Sequence, residues 1–385
     1  MKPRALLLAA LALGLAAPAP AADIAAHDAA TGEAAIAAYW TAARMKAARP
    51  YSPRQAPRAK LVTGDATTTA ASAGLPQTTA GHTPLAAEPP VNERLFDAAT
   101  QARRPQAAAS SGATAQDWGT VKAPFSTRRA DIGFARIERV YPWRTVGKLY
   151  FSYAGIDYEC SAAVIQRRII LTAGHCVHEG SGGSAGWHDN FVFVPGFDGA
   201  NDAESAIAPW GRWTGGHAIT TAAWLNGGGE VPNAGDYAVI EIADRAVASG
   251  GPLRRLGELT GWLATQTLSL GLNHTTKLGY PSNFASGLKL IESTSANYQR
   301  VYPNNVEYGS DLSHGSSGGP WVQNFAVAVS DTDGSGLKGG SNRVVGVTSY
   351  GYDGGTLRVQ GASILDSNFT AMFNSICAHQ TGNCK

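Results

Sequence analysis

The sequence has few of the residues that mark a metal centre or a charged binding surface. Among its 385 residues there are only four cysteines and nine histidines, and the formal net charge is +2. A charge this close to balance gives no electrostatic reason to expect nucleic acid or an anionic membrane as a partner. No C-x-x-C pair occurs, and no histidines cluster near the cysteines. We therefore expect no metal and no cofactor.

Long apolar runs are also missing after the first residues. Lys2 and Arg4 precede an apolar run from Ala5 to Ala17, and the small residues Ala19-Pro20-Ala21-Ala22 follow it. This order predicts an export signal over residues 1–22. The run of about 13 residues is shorter than the roughly 20 that a helix needs to span a bilayer. We expect an exported protein, in the periplasm or the medium, that acts as a monomer.

All four cysteines lie after residue 159, and they permit three disulfide pairings. In an exported chain such residues are expected to form disulfides. Of the three pairings we favour Cys160–Cys176 together with Cys377–Cys384. The first of these bonds would close a loop of about 15 residues, which stabilises a fold by about 3 kcal/mol.

Residues 23–136 differ in composition from the rest of the chain. They are rich in Ala, Thr, Pro and Gln, and hold 13 basic and 9 acidic residues, whereas residues 137–385 hold 16 and 20. The alanine-rich stretch Ala25 to Ala48 predicts a helix with one apolar face. The remainder has the composition of a low-complexity, partly disordered linker. It is either a spacer or a removable pro-region, and we favour the pro-region. Arg128-Arg129 and Arg136-Ile137 are its candidate processing sites.

From Ile137 onward the sequence predicts an all-β domain. Short segments rich in Val, Ile, Tyr and Phe are separated by Gly, Asn, Asp and Pro turns. The candidate strands are Val146–Tyr153, Cys160–Ile165, Arg168–Thr172, Phe191–Pro195, Tyr237–Ile242, Lys277–Gly279 and Val344–Tyr350. Apolar residues spaced by three and four predict a C-terminal helix at Leu365, Phe369, Met372, Phe373 and Ile376. Residues 137–385 are numerous enough for a double antiparallel β-barrel.

Three separated segments carry residue types suited to nucleophilic catalysis. Ser317 lies in the turn Gly315-Ser316-Ser317-Gly318-Gly319, His175 in Leu171–Cys176, and Asp236 opens Asp236–Ile240. A serine hydroxyl is a poor nucleophile, so it needs a base, and an imidazole base is oriented by a carboxylate. The glycines leave amide groups free, and the N–H groups of Gly315 and Ser317 could hold an oxyanion.

These segments resemble the chymotrypsin-type serine peptidases, particularly the bacterial exported branch. Thr172-Ala173-Gly174-His175-Cys176 is similar to the T-A-A-H-C segment of that family, Asp236–Val239 to its D-[IY]-A-L, and Gly315–Pro320 to its G-D-S-G-G-P. The resemblance covers roughly two-thirds of the chain. It implies a His175, Asp236, Ser317 triad, and it gives Cys160 the position of the partner that bridges to Cys176.

The resemblance also implies substrate-binding residues, with departures from the family pattern. Asp311 takes the position at the base of the primary pocket, which implies a preference for Arg or Lys. Ser349, Tyr350 and Gly351 resemble the edge strand that pairs with substrate backbone. The residue before them is Thr348 rather than histidine, so a preference for glutamate is not indicated.

Ser316 replaces the aspartate that in activated members receives a new N-terminal ammonium. Because a hydroxyl cannot form that ion pair, activation by insertion of a new N-terminus is not expected. Removal of the pro-region could still open the cleft sterically.

Two other functions fit part of the pattern. G-x-S-x-G also occurs in serine esterases of the α/β-hydrolase fold, which place their Asp and then their His after the serine. Only His379 follows Ser317 here. A non-catalytic binding module of the same fold would normally have lost one of the three residues, and all three are present. We therefore predict a secreted serine endopeptidase whose partners are protein or peptide substrates.

Overall fold

The computed structural model describes residues 23–55, 75–84, 123–133, 136–201, 203–247, 250–327, 339–352 and 358–385. The predicted export signal and most of the predicted linker lie outside these residues. In the described part of the chain, no helix has the length and hydropathy needed to cross a bilayer. The N-terminal elements are β1 (Ile24–Asp28), α1 (Glu33–Tyr39), α2 (Ala42–Ala47), β2 (Arg49–Pro50), β3 (Arg54–Gln55) and β4 (Ser126–Arg129).

The prediction of one helix over Ala25 to Ala48 is wrong in its first part. Ile24–Asp28 forms β1, which hydrogen-bonds to a strand of the domain, so tertiary pairing overrides the helix propensity of alanine. Two short helices follow, and the Thr41 hydroxyl accepts a hydrogen bond from the main-chain N of Arg44 at the start of the second.

The first half of the domain is a closed antiparallel barrel. Its elements are β5 (Val146–Tyr153), β6 (Ile156–Val164), β7 (Ile169–Thr172), β8 (Asp189–Pro195), α3 (Glu204–Ile207), β9 (Trp213–Thr221), α4 (Ala222–Leu225), β10 (Glu230–Val231) and β11 (Ala238–Ile242). Six strands pair in the order β9-β11-β7-β6-β5-β8, and pairing of β8 with β9 closes the barrel. The strands are rich in β-branched and aromatic residues, and their buried apolar side chains form one core.

The second half forms another, barrel-like sheet. Its elements are β12 (Arg245–Ala246), β13 (Leu253–Arg254), α5 (Leu256–Thr260), β14 (Ala264–Thr265), β15 (His274–Gly279), β16 (Ile291–Val301), β17 (Asn305–Gly309), β18 (Pro320–Gln323), β19 (Arg343–Val347), β20 (Tyr350–Gly351), β21 (Val359–Ser363) and α6 (Ser367–His379). The main sheet runs in the order β14-β19-β18-β15-β16-β17-β21-β20, and β4 joins it at β16.

The predicted all-β architecture with a C-terminal helix is confirmed. Each predicted strand overlaps an observed strand, and Val146–Tyr153 is β5 itself. The predicted helix is α6, which buries Phe369, Met372 and Ile376 against β9 and β11. Both favoured disulfides are present, Cys160–Cys176 and Cys377–Cys384.

Described parts of residues 23–136 pack closely on the domain. β1 pairs with β9, β2 runs parallel to β6, and β3 runs parallel to β10. Ile36, Trp40 and Met45 are buried in the same apolar core as the first barrel. These contacts bring the segment from Arg49 to Gln55 to the face between the two sheets.

Candidate active site

His175 and Asp236 meet because their strands are neighbours. His175 lies in the turn after β7 and Asp236 lies just before β11, and the two strands are antiparallel with Ala238 opposite Thr172. His175 Nδ1 is 2.8 Å from Asp236 Oδ2, and the main-chain N of His175 donates to Oδ1 at 2.8 Å. Both side chains are fully buried. Because Nδ1 carries the proton that faces the carboxylate, Nε2 is the free, basic nitrogen.

A third hydrogen bond fixes the carboxylate of Asp236. The Ser349 hydroxyl donates to Asp236 Oδ2 at 2.5 Å. The Asp236 side chain therefore accepts from the imidazole, from a main-chain amide and from a hydroxyl, which holds it in one orientation. The structure thus connects a residue of the predicted substrate-binding edge to the His175–Asp236 pair.

The turn that carries Ser317 is packed against the segment that carries His175. The main-chain N of Ser161 donates to Ser317 O at 2.7 Å. Gly318 has φ +77°, and an added Cβ would lie 2.8 Å from the main-chain N of Ala173, two residues before His175. Only glycine allows this positive φ together with so close an approach. Ser317 is thereby held beside the His175 turn at the start of β18.

Two main-chain amides of the Ser317 turn are open, which means that their N–H groups have no hydrogen-bond acceptor among the described residues. Within the described residues, neither the N–H of Gly315 nor that of Ser317 meets a hydrogen-bond acceptor, whereas the neighbouring N–H of Ser316 donates to Ser313 O. Gly315 has φ +93°, and an added Cβ would lie 2.5 Å from Tyr280 O. His175 Nε2 is likewise buried without a hydrogen-bond partner in the described part of the chain. Two donors and one acceptor are therefore available at Ser317, which is 7% exposed.

The hydroxyl of Ser316 belongs to a neutral hydrogen-bond network. It donates to Ser313 O at 2.7 Å and accepts from Gln360 Nε2 at 2.8 Å, while Gln360 Oε1 accepts from the Ser310 hydroxyl at 2.8 Å. This network holds the Ser317 turn without any ion pair. Sequence reasoning missed Gln360, because only the position of β21 in the folded sheet brings it to the turn.

The predicted substrate-binding residues share one cavity of about 220 Å³ beside Ser317. Its lining includes Asp311, Ser349, Tyr350 and Gly351. The carboxylate of Asp311 is already engaged: Oδ1 accepts from the Thr127 hydroxyl of β4 at 2.6 Å. In this state, therefore, the acid at the predicted pocket base is paired with a residue of the predicted pro-region.

A buried lysine, Lys277, lies close enough to Asp311 to feel its charge. Lys277 is fully buried, donates through Nζ to the Ser295 hydroxyl at 2.6 Å, and lies over the rings of Tyr308 and Trp321. Burial lowers the pKa of Lys277 to about 7, and the nearby charge of Asp311 opposes that shift. The ammonium form is therefore disfavoured at this position.

The segment Arg49–Gln55 crosses the site. Tyr51 N donates to Glu159 O at 3.1 Å, and the Tyr51 ring lies 6.1 Å from the His175 ring at an interplanar angle of 17°. Further along, the Ser52 hydroxyl is 2.7 Å from His314 Nδ1. The segment therefore contacts the imidazole and one wall of the cavity.

The same segment continues along the far wall of the cleft. Arg54 N donates to Gly229 O at 2.9 Å, and Gln55 Nε2 donates to Gly351 O. Ser52, Pro53 and Gln55 line the cavity beside Ser317. No carbonyl of the segment bonds to the open amides of Gly315 and Ser317.

Two groups of side chains in the described part of the chain bring potential metal ligands together. Cys160 and Cys176 lie near His175 but form a disulfide, so they offer no thiolate. Asp28 and His217 are 2.7 Å apart through Oδ1 and Nδ1, and His217 stacks on His379 at 3.7 Å with 9° between the rings. Rings stacked in parallel direct their in-plane lone pairs side by side rather than at one ion. This second group is better described as a hydrogen-bonded contact between β1 and the domain.

No protein-family model matches the chain, and no curated protein matches it by sequence. Solved structures similar to it include the thermostable serine protease AL20 from an extremophilic microorganism, protease Anisep from Arthrobacter nicotinovorans, and a Glu endopeptidase in complex with MPD. Their identities are 22%, 23% and 20%, with TM-scores of 0.49, 0.49 and 0.47. They cover 62%, 62% and 66% of this chain and 99%, 98% and 97% of their own. With TM-scores below 0.5, these similarities identify neither a family nor a function for this chain.

Proposed function

We propose that the chain is a secreted serine endopeptidase with His175, Asp236 and Ser317 as its catalytic residues. The observation that carries the proposal is the 2.8 Å contact of His175 Nδ1 with Asp236, beside a serine turn with two open amides. A base oriented by a buried acid, a hydroxyl on a glycine turn and two convergent N–H donors are the parts that acyl transfer requires.

Each part has a defined step. Ser317 Oγ attacks the substrate carbonyl while its proton passes to His175 Nε2, and the oxygen of the tetrahedral intermediate accepts from the N–H groups of Gly315 and Ser317. His175 then gives the proton to the leaving amine, the C–N bond breaks, and an acyl-Ser317 ester remains. Water hydrolyses this ester with His175 again as base. Each oxyanion donor contributes about 2.7–4 kcal/mol in comparable sites.

Export and synthesis as a latent precursor belong to the same proposal. The two disulfides are of the kind that form in an oxidising compartment, which agrees with the predicted export signal. Segment 49–55 covers the cleft from Glu159 to Gly351. The open amides suggest that it covers the cleft without presenting a carbonyl for attack. We infer that the precursor is inactive by occlusion. The His175–Asp236 pair is already formed in this state, but His175 Nε2 has no hydrogen-bond partner among the described residues, so the Ser317 hydroxyl has still to close on it.

The proposed preference for Arg or Lys depends on the release of Asp311. Thr127, which holds the Asp311 carboxylate at 2.6 Å, precedes both candidate processing sites. Cleavage at either site and departure of β4 would free the carboxylate to pair with a basic substrate side chain. Substrate preference and maturation are then linked by one hydrogen bond.

Comparison of the wild-type chain with Ser317→Ala tests the enzymatic proposal. After maturation, the wild-type chain should cleave internal bonds of an unfolded protein, and Ser317→Ala should lose this turnover while keeping the wild-type circular-dichroism spectrum. Ser184→Ala is the matched control and should keep turnover, since it removes the hydroxyl of an exposed serine away from the cavity. Equal cleavage by wild type and Ser317→Ala would refute the proposal. Hydrolysis of short esters without any amide cleavage would favour the esterase, and binding without any hydrolysis would favour the binding module.

A further inference from the structure

We propose that an aromatic box beside His175 is a substrate subsite that takes a large aromatic side chain on the leaving-group half of the substrate. The aromatic box is defined by Phe151, Tyr158 and His188, and Tyr51 fills it in the described state. This inference rests on the proposed peptidase function and adds a substrate preference to it.

The box is a built pocket with an aromatic occupant. The Tyr51 ring lies 5.0 Å from Tyr158 at 82°, 5.1 Å from His188 at 58° and 5.8 Å from Phe151 at 56°. Edge-to-face and tilted contacts at these distances are the favourable geometries for aromatic pairs. The floor is rigid, because Phe151 and His188 are fully buried and stack at 4.7 Å with 4° between their planes.

The position of the box relative to the reacting groups assigns it to one half of the cleft. Tyr51 stacks on His175, and its main-chain N donates to Glu159 O on β6. Gln55, at the other end of the segment, reaches Gly351 on the edge that resembles the acyl-side substrate strand. The box therefore lies on the opposite side of the catalytic groups, where the leaving amine departs. Glu159 O is a main-chain acceptor that an amide of the substrate could use in the same way.

Charge defines the class of side chain that fits. Burial lowers the pKa of His188 to about 3, so the floor of the box is neutral at any working pH. Glu179 lies close enough to raise the pKa of Tyr51 by its charge, after the larger effect of burial. An acidic side chain would therefore be repelled, and an uncharged aromatic ring such as Phe or Tyr is favoured.

A peptide series on the matured full chain tests the preference. The peptides share one acyl-side sequence and carry Phe, Tyr, Ala or Glu at the first or second position after the cleaved bond. We expect kcat/KM at least tenfold higher for Phe or Tyr than for Ala at one of these positions, as is usual for an apolar pocket. Tyr158→Ala should reduce that ratio to about threefold or less, whereas Tyr302→Ala, an exposed tyrosine between β16 and β17, should leave it unchanged.

A binding experiment gives a readout that needs no catalytic activity and leaves the three residues of the box unchanged. The full-length double variant Ser317→Ala, Tyr51→Ala is titrated with the peptides Arg-Pro-Tyr-Ser-Pro-Arg-Gln and Arg-Pro-Ala-Ser-Pro-Arg-Gln. The residual segment 49–55 competes equally with both peptides, so the ratio of their Kd values is preserved. We expect at least tenfold tighter binding of the tyrosine peptide.

The outcomes separate this inference from the proposed function. Equal cleavage of aromatic and alanine peptides, or equal Kd values, overturns the aromatic subsite while peptidase activity stands. Absence of cleavage of every peptide by the matured chain overturns the proposed function itself. Tighter binding of the tyrosine peptide in that case would leave the box as a binding site for aromatic side chains.

Discussion

Replacing Lys277 by methionine should stabilise the protein and change its response to pH. Lys277 is fully buried, and burial lowers its pKa from 10.5 to about 7. One pKa unit corresponds to 1.36 kcal/mol, so this shift corresponds to a destabilisation of about 5 kcal/mol when the lysine is charged in both states. Methionine has a similar length and needs no hydrogen bond, although its introduction leaves the Ser295 hydroxyl without the Nζ contact. We expect a net gain of about 2 to 4 kcal/mol near pH 6.

The sign of the pH effect follows from proton binding. Between pH 7 and pH 10.5 the unfolded chain keeps its proton on this lysine while the folded chain has lost it. The free energy of unfolding of the parent therefore rises with pH across this window, and below pH 7 the full destabilisation remains. In Lys277→Met this contribution is absent, so the advantage of the variant should be largest below pH 7 and shrink as the pH approaches 10.5.

Urea unfolding at pH 6 and pH 9 measures both effects. All variants carry Ser317→Ala to prevent self-digestion, and Lys46→Met on α2 is the matched control at an exposed lysine. The control should change stability by less than about 0.5 kcal/mol. A Lys277→Met variant no more stable than this control at pH 6, or with the same advantage at both pH values, would refute the burial argument.

Three further predictions concern activity. Tyr51→Ala should raise the activity of the unprocessed chain on a small peptide substrate by about 5- to 30-fold, because the partly buried ring contributes roughly 1–2 kcal/mol to occlusion; no change would exclude segment 49–55 as the blocking element. Gln360→Leu should remove the hydrogen bonds that Gln360 makes with the Ser310 and Ser316 hydroxyls at a cost of about 1–3 kcal/mol, while Ser316 keeps its bond to Ser313 O; steady-state kinetics should show a lower kcat with a similar KM. Asp311→Asn should lower kcat/KM for Arg and Lys substrates of the matured chain by about 10- to 100-fold and leave uncharged substrates unaffected; a uniform loss would contradict its role in specificity.

Local patterns were sufficient to predict the barrels and the residues proposed to be catalytic. Around each of His175, Asp236 and Ser317, the glycines, β-branched residues and strand ends lie within a few positions of the reactive side chain. The sequence therefore shows both the chemistry and the local geometry of these segments. The same holds for α6, where the spacing of Phe369, Met372 and Ile376 marks one buried face.

Long-range pairings were not visible in the sequence. Thr127 meets Asp311 across 184 residues, and Gln360 meets Ser316 across 44. Neither pair has a sequence signature, because sheet order and register bring them together. The packing of Tyr51 against His175 has the same origin. β2 and β3 are two-residue strands that are defined only by their pairing with β6 and β10.

Covalent labelling tests the central claim most directly. The full-length Tyr51→Ala chain is treated with a fluorophosphonate, digested and analysed by mass spectrometry, with the additional change His175→Ala as the control. If the oriented imidazole of His175 activates the Ser317 hydroxyl, we expect a single adduct, on Ser317. This adduct should be lost when His175 is replaced by alanine. An adduct on another serine, or labelling of Ser317 that persists at the same rate without His175, would contradict the account.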